Sequence, residues 1–574
     1  MPSFLIVGHA VLSPQIPVAQ EPEPVPVVMD TSLLAQQGFM ELVRPGPWQD
    51  VTELIEYQDR LWFANSVTGI NHNSADIYSY APAGGELRYE RHLFSQDAGH
   101  PEIAEGLLYW PFEDPRFSAD LGEYMVTNGE EWQWRVLPEG EAFHLHAMAA
   151  HDGVIFAGTG AWSGQLQRLS LGEASPTQNN DQTWEVVYTH PTPEKQVSRI
   201  TELSFLADEL YAGITALHSE EVKLLHWQND TLTAVPGWPQ GRRVKGLTSY
   251  KGWLYGINED ADKRVALWRT NGEESERVAG LAGRNIRAIA AGKKESGEEE
   301  LWAISSDRDG RFLLHSEDGE QWSAVHRFGT MQPLDVAVYR GQVYVGGRDA
   351  GNQGVLWGPL LSETTSPTAD ATSQQIAAMP PLPPSPDAKK IEQAIQQLKG
   401  KLGDSATFNQ GDTQEVLAQT LLSLALSQTT TAGSALTQQL NRSLPAEQAT
   451  LFENKMSQPA TDVVQWYLLW AMGLNGQGSV PIDLLKETWN TPRNKPEKYW
   501  QPVPAAAWTA AQVGQADEGT LSALMQRLNK AEDPLWITGD VIGALSVLTG
   551  ENFGYDLAGW REWWDTKRSQ VTVP

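Results

Sequence analysis

The chain has 574 residues, which is too long for a single hydrophobic core and predicts several domains or a repeat array. Its 42 lysines and arginines against 72 aspartates and glutamates give a formal net charge of −30. This charge argues against nucleic acid and anionic membranes as partners, because both require a basic surface. Cysteine is absent, which excludes disulfides, thiol catalysis and zinc sites with cysteine ligands.

The first residues have some features of an export signal. Residues 4–12 are short and apolar, and an acidic, proline-rich stretch follows at 21–28. The positively charged start of such a signal is missing, because no Lys or Arg precedes Arg44. We expect residues 1–36 to be a leader or signal remnant and the protein to be exported, periplasmic or extracellular, with a cytoplasmic protein as the alternative. No apolar run reaches the ~20 residues of a membrane helix, so membrane insertion is not expected.

One short pattern recurs through residues 37–360. It consists of the apolar end of a strand, a tight turn with Asp or Gly, and a new strand with an aromatic residue near its start. The residues that anchor the copies are about 42 to 55 positions apart: Leu61, Leu108, Ile155, Leu210, Leu254, Leu301 and Val343. Strand patterning with this period predicts an all-β propeller of four-stranded blades. The last blade shows three strands, so we expect seven blades closed by an unmatched strand at 38–44, which leaves no open sheet edge.

A second repeated turn is rich in Gly and in Asn or Asp. It occurs at 127–132, 270–275 and 316–322. In the last copy a serine hydroxyl and a carboxylate are placed to cap the turn, Gly allows a positive φ, and Trp packs on the sheet. This copy resembles the Asp-box hairpin of sialidase-like propellers, although it is one residue shorter. The resemblance implies a role in shaping blades and does not imply sialidase activity.

The composition changes after the propeller. Residues 361–388 are rich in Pro, Ser and Thr, which predicts a semi-extended linker. From 389 to 574 the apolar period becomes helical. Two similar stretches, 463–489 and 504–528, contain glycines that we expect to end equivalent helices, Gly473 and Gly514. This spacing favours a separate all-α domain of HEAT-type helical pairs.

The end of the chain supports the same prediction. Residues 544–564 resemble the segment that closes bacterial HEAT-repeat modules. Trp560, Trp563 and Trp564 recur at helical spacing, so they form one apolar face that can cover the last repeat.

The loops indicate which propeller face binds. The first-to-second and third-to-fourth strand turns are short and uniform, whereas the loops on the opposite face differ in every blade. Ligands usually bind to variable loops on a rigid scaffold. We therefore expect the ligand at the mouth formed by 109–124, 143–162 and 236–243. The candidate ligand-binding residues are aromatic, acidic and basic side chains: Trp110, Phe112, Glu113, Asp114, Arg116, His144, His146, Trp162, Trp238, Arg242 and Arg243.

These residue types suit a protein, peptide or carbohydrate ligand, through stacking and charged hydrogen bonds. A purely structural interpretation is also open, in which Pro111 and Pro115 stiffen the loop and its charged residues pair with each other. The chain contains no phosphate loop, nucleophile elbow or zinc-protease motif. We therefore predict a non-catalytic binding or scaffold protein. The alternative is a glycoside hydrolase or related hydrolase that uses Glu113 or Asp114 with Asp335 or Asp307 across the mouth.

Metal binding is the weakest of the possibilities. His144 and His146 share one strand face, and His100, His151 or His190 could join them, but no third ligand is fixed by spacing. The acidic loops at 258–263 and 305–310 offer oxygen ligands for Ca²⁺ without the full spacing of a calcium loop. We expect no cofactor.

Overall fold

The computed structural model describes most of the chain. The described residues are 25–67, 74–115, 122–137, 144–160, 162–171, 184–193, 196–216, 221–361, 377–380, 388–401, 420–440, 448–451, 456–486, 502–528 and 533–571. The start of the predicted leader, Arg116 and most of the predicted linker lie outside these residues.

Residues 40–358 fold into successive antiparallel sheets, each named below by its residue range. The strands of the first sheet are Asp50–Tyr57, Arg60–Ser66, Asp76–Ala81 and Glu86–His92. Those of the second are Ser95–Ala98, Glu102–Ala104, Leu107–Pro115, Gly122–Thr127 and Trp132–Leu137. Those of the third are Leu145–His151, Val154–Gly160, Gly164–Ser170 and Glu185–Thr189. The next group contains Arg199–Leu206, Glu209–Thr215, Leu224–Gln228 and Thr231–Ala234, and the group after it contains Arg243–Tyr250, Trp253–Glu259, Val265–Thr270 and Ser275–Arg277. A single residue pair, Thr215 with Arg243, joins these two groups. The last two contain Ile286–Lys293, Glu299–Asp307, Gly310–Ser316 and Ser323–Arg327; Gln332–Tyr339, Gln342–Arg348 and Gly354–Gly358.

The first strands of neighbouring sheets contact each other, so the sheets are arranged around a common axis. Successive four-stranded sheets around an axis define a β-propeller, and the fold predicted from the repeat is confirmed at this level.

The N-terminal segment belongs to the propeller. Met40–Val43 pairs with Gly354–Gly358, and Arg44 forms an ion pair with Asp349. This is the pairing predicted for the unmatched strand. Residues 25–36 do not behave as the flexible leader that we expected from composition. Val28–Met29 adds a parallel strand to Ser323–Arg327, because that outer strand presents unpaired backbone groups that an extended segment can satisfy.

Side chains cap the repeated turns as their sequence predicts. The Thr127 hydroxyl accepts a hydrogen bond from the Gly129 N–H at 2.9 Å, and the Asn128 side-chain oxygen accepts from two further N–H groups. At 316–322 the same roles fall to Ser316 and Asp318. These caps satisfy the turn backbone locally, which explains why the motif recurs on the face that carries no variable loops.

The C-terminal region is helical. Its bounds are Ala388–Lys401, Thr430–Leu440, Ala460–Asn475, Ile482–Lys486, Pro502–Gln512, Glu518–Leu528, Leu535–Thr549 and Leu557–Val571, with a hairpin of Gln448–Leu451 and Met456–Pro459. The 460–475, 502–512 and 535–549 helices pack in succession, and the Thr509 hydroxyl donates to the Leu469 carbonyl at 2.8 Å.

The expected role of Gly473 needs correction. Gly473 lies inside the 460–475 helix, where a Cβ would collide with the Trp508 ring. The helix ends before Gly476, which has a φ of 71°. Gly514, with a φ of 67°, does follow the end of the 502–512 helix, because glycine adopts the left-handed conformation without a Cβ penalty.

The helical region and the propeller share a buried interface that composition did not predict. One hydrophobic cluster contains residues of both regions, among them Trp48, Tyr89, Trp466 and Trp508. The Trp134 and Trp508 rings meet edge to face at 5.4 Å. The predicted linker contacts the propeller as well: the Pro380 carbonyl accepts a hydrogen bond from Arg135, at 2.6 Å. Residues 377–380 therefore pack along the propeller.

Glu123 is a fully buried carboxyl group in this interface, and the Trp470 indole donates to it at 3.4 Å. Burial raises its pKa well above the usual range, because the charged form is poorly solvated there. The folded state therefore holds the proton more tightly than the unfolded chain, and the cost of ionising it grows as pH rises above the unfolded pKa.

We expect Glu123→Gln to raise the free energy of unfolding at pH 8, because the neutral amide removes the cost of a buried carboxyl group that would ionise in the unfolded chain. The gain should shrink towards pH 4, where the unfolded chain is also protonated. Denaturant unfolding at the two pH values measures it. Glu131→Gln, at an exposed turn of the same sheet, is the matched control and should change little. Equal stability of the Glu123 variant and the wild type at pH 8 would contradict the prediction.

Candidate functional site

A cavity of about 820 Å³ lies on the propeller axis. The beginnings of the first strands line it, so residues distant in the chain meet there, among them Glu53, His146, Glu202, Lys245 and Asp335. The starts of these strands adjoin the variable loops. The cavity therefore lies near the variable loops.

A break in one inner strand brings a histidine to the cavity. The first strand of the 95–137 sheet stops at Ala98 and resumes at Glu102. Gly99 and Pro101 explain the break: a Cβ at Gly99 would collide with the His146 carbonyl, and Pro101 has no N–H for the ladder. Between them, the His100 N–H donates to the His146 carbonyl at 2.8 Å, which leaves the imidazole in the cavity.

Two glutamates hold His100. Its Nδ1 lies 2.5 Å from Glu53 and its Nε2 lies 3.2 Å from Glu202, while 47% of the side chain stays exposed. Burial alone would lower the pKa of His100, but the two carboxylates outweigh it and raise the pKa above its usual range. The two carboxylates therefore favour the protonated form of His100.

Glu53 occupies a strained backbone position. Glu53 and Leu54 form a bulge opposite Phe63, and Glu53 has a φ of 57°. The 243–277 sheet has a bulge at the same place, where Gly246 has a φ of 62°. Glycine adopts this conformation freely, whereas a residue with a Cβ loses on the order of 1 kcal/mol. The side chain at this strained position reaches His100 in the cavity, as strained residues at binding sites often do.

Several other cavity carboxyl groups have raised pKa values. Burial, and then the nearby charges of Glu113 and Glu53, raise the pKa of Asp97 to about 8, against a hydrogen bond from Ser66 at 2.5 Å. Burial raises the pKa of Glu102 to about 7. Burial and the charge of Glu53 raise the pKa of Asp335 to about 6, although Asp335 accepts two backbone hydrogen bonds. Groups that titrate near neutral pH are suited to proton transfer.

Basic side chains line the other part of the cavity: Arg199, Arg243, Lys245, Arg287 and Arg348. Arg348 donates two hydrogen bonds to Asp50, at 2.6 and 2.8 Å. Arg243 shares Glu259 with Arg242. The cavity therefore presents both signs of charge on a rigid frame.

Glu113, His144 and His146 form the one cluster in the described residues with three potential metal ligands within 4.8 Å of one another. The two imidazoles stack in parallel, 5.6 Å apart. The Arg199 guanidinium lies 3.2 Å from His144 and 3.7 Å from Glu113. The residue types suit a divalent metal, but a metal there would compete with this arginine for the same ligands.

The structure corrects the role of three predicted aromatic residues. Trp110 and Phe112 are fully buried in the core between the 50–92 and 95–137 sheets. Trp238 is 3% exposed, and its indole donates to Asn258 at 3.2 Å. These rings offer no face to a ligand, because their strand positions alternate into the blade interiors. Their truncation would cost stability by emptying a core.

The other predicted residues divide between the cavity and its surroundings. Glu113, His146 and Arg243 line the cavity, and Arg242 lies beside Arg243. Trp162 is 66% exposed and remains available to a ligand. The side chain of Asp114 and the whole of Arg116 lie outside the part of the chain that the structure describes.

The remaining candidates for metal or catalysis are distributed as follows. Asp335 shares the cavity with Glu113, whereas Asp307 pairs with Arg284 in a buried ion pair at 2.8 Å. In the 258–263 loop Asp260 pairs with Arg264, at 2.8 Å. His151 lies by Asp208, 3.3 Å away, at the short-turn end of its strand. His190 contacts the Tyr188 hydroxyl at 3.3 Å.

Sequence reasoning missed Glu53, Asp97, Glu202, Lys245 and Arg287. A repeated tripeptide in the sequence could have pointed to Glu53 and Glu202. The tripeptide Thr-Glu-Leu occurs at 52–54 and again at 201–203, at the same place in two first strands. A charged residue that interrupts the apolar pattern of an inner strand is a position that faces the axis.

No protein-family model matches the chain, and no curated protein matches it. Solved structures do. The β-propeller domain of the trilobed protease from Pyrococcus furiosus aligns with 55% of this chain and 96% of its own, at 9% identity and a TM-score of 0.39. An acylaminoacyl peptidase of Pyrococcus horikoshii aligns with 57% of this chain and 54% of its own, at 7% identity and a TM-score of 0.39. The Pan2 WD40 domain of Neurospora crassa aligns over 59% and 98%, at 13% identity and a TM-score of 0.35.

The strand pairing defines the class of protein: a β-propeller followed by a helical region. Among the helices of the described residues, none has the length and apolar character needed to cross a membrane.

Proposed function

We propose that the chain is a non-catalytic binding protein whose ligand, a protein segment, a peptide or a glycan, enters the axial cavity. The observation that carries the proposal is Glu53, held at a positive φ with its carboxylate on His100. The bulge itself requires only glycine, as Gly246 demonstrates. A charged side chain kept at an energetic cost, in a cavity with groups of both signs, supports recognition of a polar ligand.

The proposal extends to the architecture. We propose that the sheets are the seven blades of a ring with Asp-box-like turns, and that the helices are HEAT-like pairs that add a second docking surface. The order of the sheets and the successive packing of the 460–475, 502–512 and 535–549 helices support this. We also propose export of the protein and no resident cofactor. Arg199 supports the absence of a metal, since it supplies positive charge beside Glu113 and His144.

Hydrolysis is the second candidate function. The raised pKa values of Asp97, Glu102 and Asp335 favour it, because a general acid must hold its proton near neutral pH. Glu113 lines the same cavity, so it remains the carboxylate to test first. Against this candidate, Asp97 and Asp335 are already engaged by protein donors.

A ligand panel tests the proposal. We expect the full-length chain to bind at least one member of a panel of short peptides and oligosaccharides, in calorimetry or fluorescence anisotropy. Arg199→Ala should weaken that binding about tenfold or more, since it removes a cavity donor of the kind that anchors ligands. Arg168→Ala is the matched control: this arginine pairs with Glu185 on an outer strand and should leave affinity unchanged.

Two results would contradict the proposal. Equal losses in the Arg199 and Arg168 variants would place the binding surface away from the cavity. Turnover of a panel member, abolished by Glu113→Gln with folding intact, would replace binding by hydrolysis.

A further inference from the structure

The basic side chains of the cavity are not all neutralised. Arg348, Arg243 and Arg199 have carboxylate partners in Asp50, Glu259 and Glu113. Lys245 and Arg287 form no ion pair with any residue that the structure describes, although both line the cavity. Lys245 is half-buried and Arg287 is exposed, and cations without an ion-pair partner in one cavity are unexpected in a chain with a net charge of −30.

The strand register explains how these groups meet. Arg243 and Lys245 are two positions apart on one inner strand, so their side chains lie on the same face. Arg287 lies near the start of the next inner strand, Ile286–Lys293, which contacts the strand that carries Arg243 and Lys245. The bulge begins directly after Lys245, at Gly246. At this bulge position Gly246 carries no side chain, whereas the equivalent position of the 50–92 sheet carries the carboxylate of Glu53.

The electrostatics of Lys245 reflect this crowding. Burial, and then the charges of Arg243 and Arg287, lower the pKa of Lys245 to about 8. Glu202 and Glu259 act in the opposite direction, but Glu202 is hydrogen-bonded to His100 and Glu259 is shared by Arg242 and Arg243. The local balance is therefore positive, and an anion that joined these groups would relieve their repulsion.

Resting on the proposed binding function, we propose that Arg243, Lys245 and Arg287 form an anion-recognition subsite that accepts a carboxylate, phosphate or sulfate group of the ligand. Arginine and lysine together suit such a group: the planar guanidinium offers two parallel donors, and the ammonium adds a compact point charge. The acidic part of the cavity, around Glu53 and Glu202, then faces the polar or cationic remainder of the ligand. The ligand class is an anionic molecule that also carries hydrogen-bond donors.

Chemical labelling of Lys245 tests this subsite without a known ligand. The full-length protein is acetylated at pH 8 with limiting reagent, and the rate at each lysine is followed by peptide mass spectrometry. The reaction is run with inorganic phosphate, with sulfate, with tricarballylate, and with chloride at equal ionic strength. We expect phosphate, sulfate or tricarballylate to slow acetylation of Lys245 at least about threefold relative to chloride, because a bound anion raises the lysine pKa and covers the amine. The arm with the greatest protection identifies the anionic group.

Two controls make the result decisive. Lys263, exposed on a loop of the same sheet, should react equally in all four salts. Arg287→Ala should remove the protection of Lys245, whereas Arg277→Ala on the outer strand should keep it. No protection by any of the three anions, or equal protection of Lys263, would overturn the inference. The ligand panel tests the proposed function separately. A panel ligand that binds without protecting Lys245 would support the proposed function and disprove this subsite. Protection of Lys245 by an anion, with no binding of any panel member, would support the subsite and count against the proposed function.

Discussion

Replacing His92 by alanine is expected to lower the free energy of unfolding by about 3–5 kcal/mol, the usual cost of removing one partner from a buried ion pair. His92 lies in the interface between the propeller and the helical region, where Asp76, Asp540 and His92 are all fully buried. Its Nδ1 is 2.7 Å from Asp76 and its Nε2 is 2.8 Å from Asp540. Both ring nitrogens donate only when the imidazole is protonated, so the cation joins the two carboxylates across the interface.

The effect should depend on pH in a defined direction. Burial by itself would lower the pKa of His92, but the hydrogen bonds and charges of Asp540 and Asp76 raise it above the usual value. The stability contributed by its charge is therefore complete below the unfolded pKa of about 6.5 and is lost as pH rises through the higher folded pKa. Three tyrosines lie near Asp76: Tyr78, Tyr89 and Tyr555. Burial raises their pKa values well above the usual range, so they stay neutral at these pH values. The Trp48 indole also donates to Asp76, at 2.5 Å, and does not titrate.

Two measurements check this result. Thermal unfolding between pH 6 and pH 9 should show the largest deficit of the His92 variant at the acid end. Limited proteolysis should cut the 535–571 segment faster, because the triad attaches the 535–549 helix to the propeller. Asp540→Asn keeps an acceptor for His92 and should cost less. His151→Ala, at a surface turn, is the control. If His92→Ala and His151→Ala were equally stable, the interface would not depend on the triad.

The second large effect is expected from Glu53→Gly. This substitution should change the pKa of His100 in the cavity with little change in the free energy of unfolding. The substitution relieves a φ of 57° at the cost of a more flexible unfolded chain, so the free energy of unfolding should change by less than about 1 kcal/mol. It also removes one of the two carboxylates that hold His100 charged. The pKa of His100 should therefore fall, while Glu202 retains part of the shift.

Histidine titration by NMR measures this pKa, and urea unfolding measures the stability. Glu53→Gln is the matched variant: it keeps the Cβ and the strain, so it should give the same fall in the His100 pKa without relief of strain. Asp152→Gly, at a turn residue with a φ of 48°, relieves strain away from the cavity and should leave the pKa of His100 unchanged. A loss of several kcal/mol in Glu53→Gly would mean that this glutamate serves folding, and the proposed binding site would lose its main support.

The sequence by itself determined the features that depend on local periodicity and local turn chemistry. The recurring strand–turn–strand pattern predicted the propeller, and the hydroxyl and Asx caps at Thr127, Asn128, Ser316 and Asp318 follow from residues within one hairpin. The helical character of the C-terminal region followed in the same way from its 3.6-residue period.

Only the tertiary structure decided which side chains meet. His100 lies between Glu53 and Glu202, which are 47 and 102 positions away, because the first strands converge on one axis. His92 meets Asp540 across 448 positions, at an interface whose existence no local pattern encodes. The structure also decided that Trp110 fills a core, since alternation along a strand specifies two faces but not which of them the neighbouring blade covers.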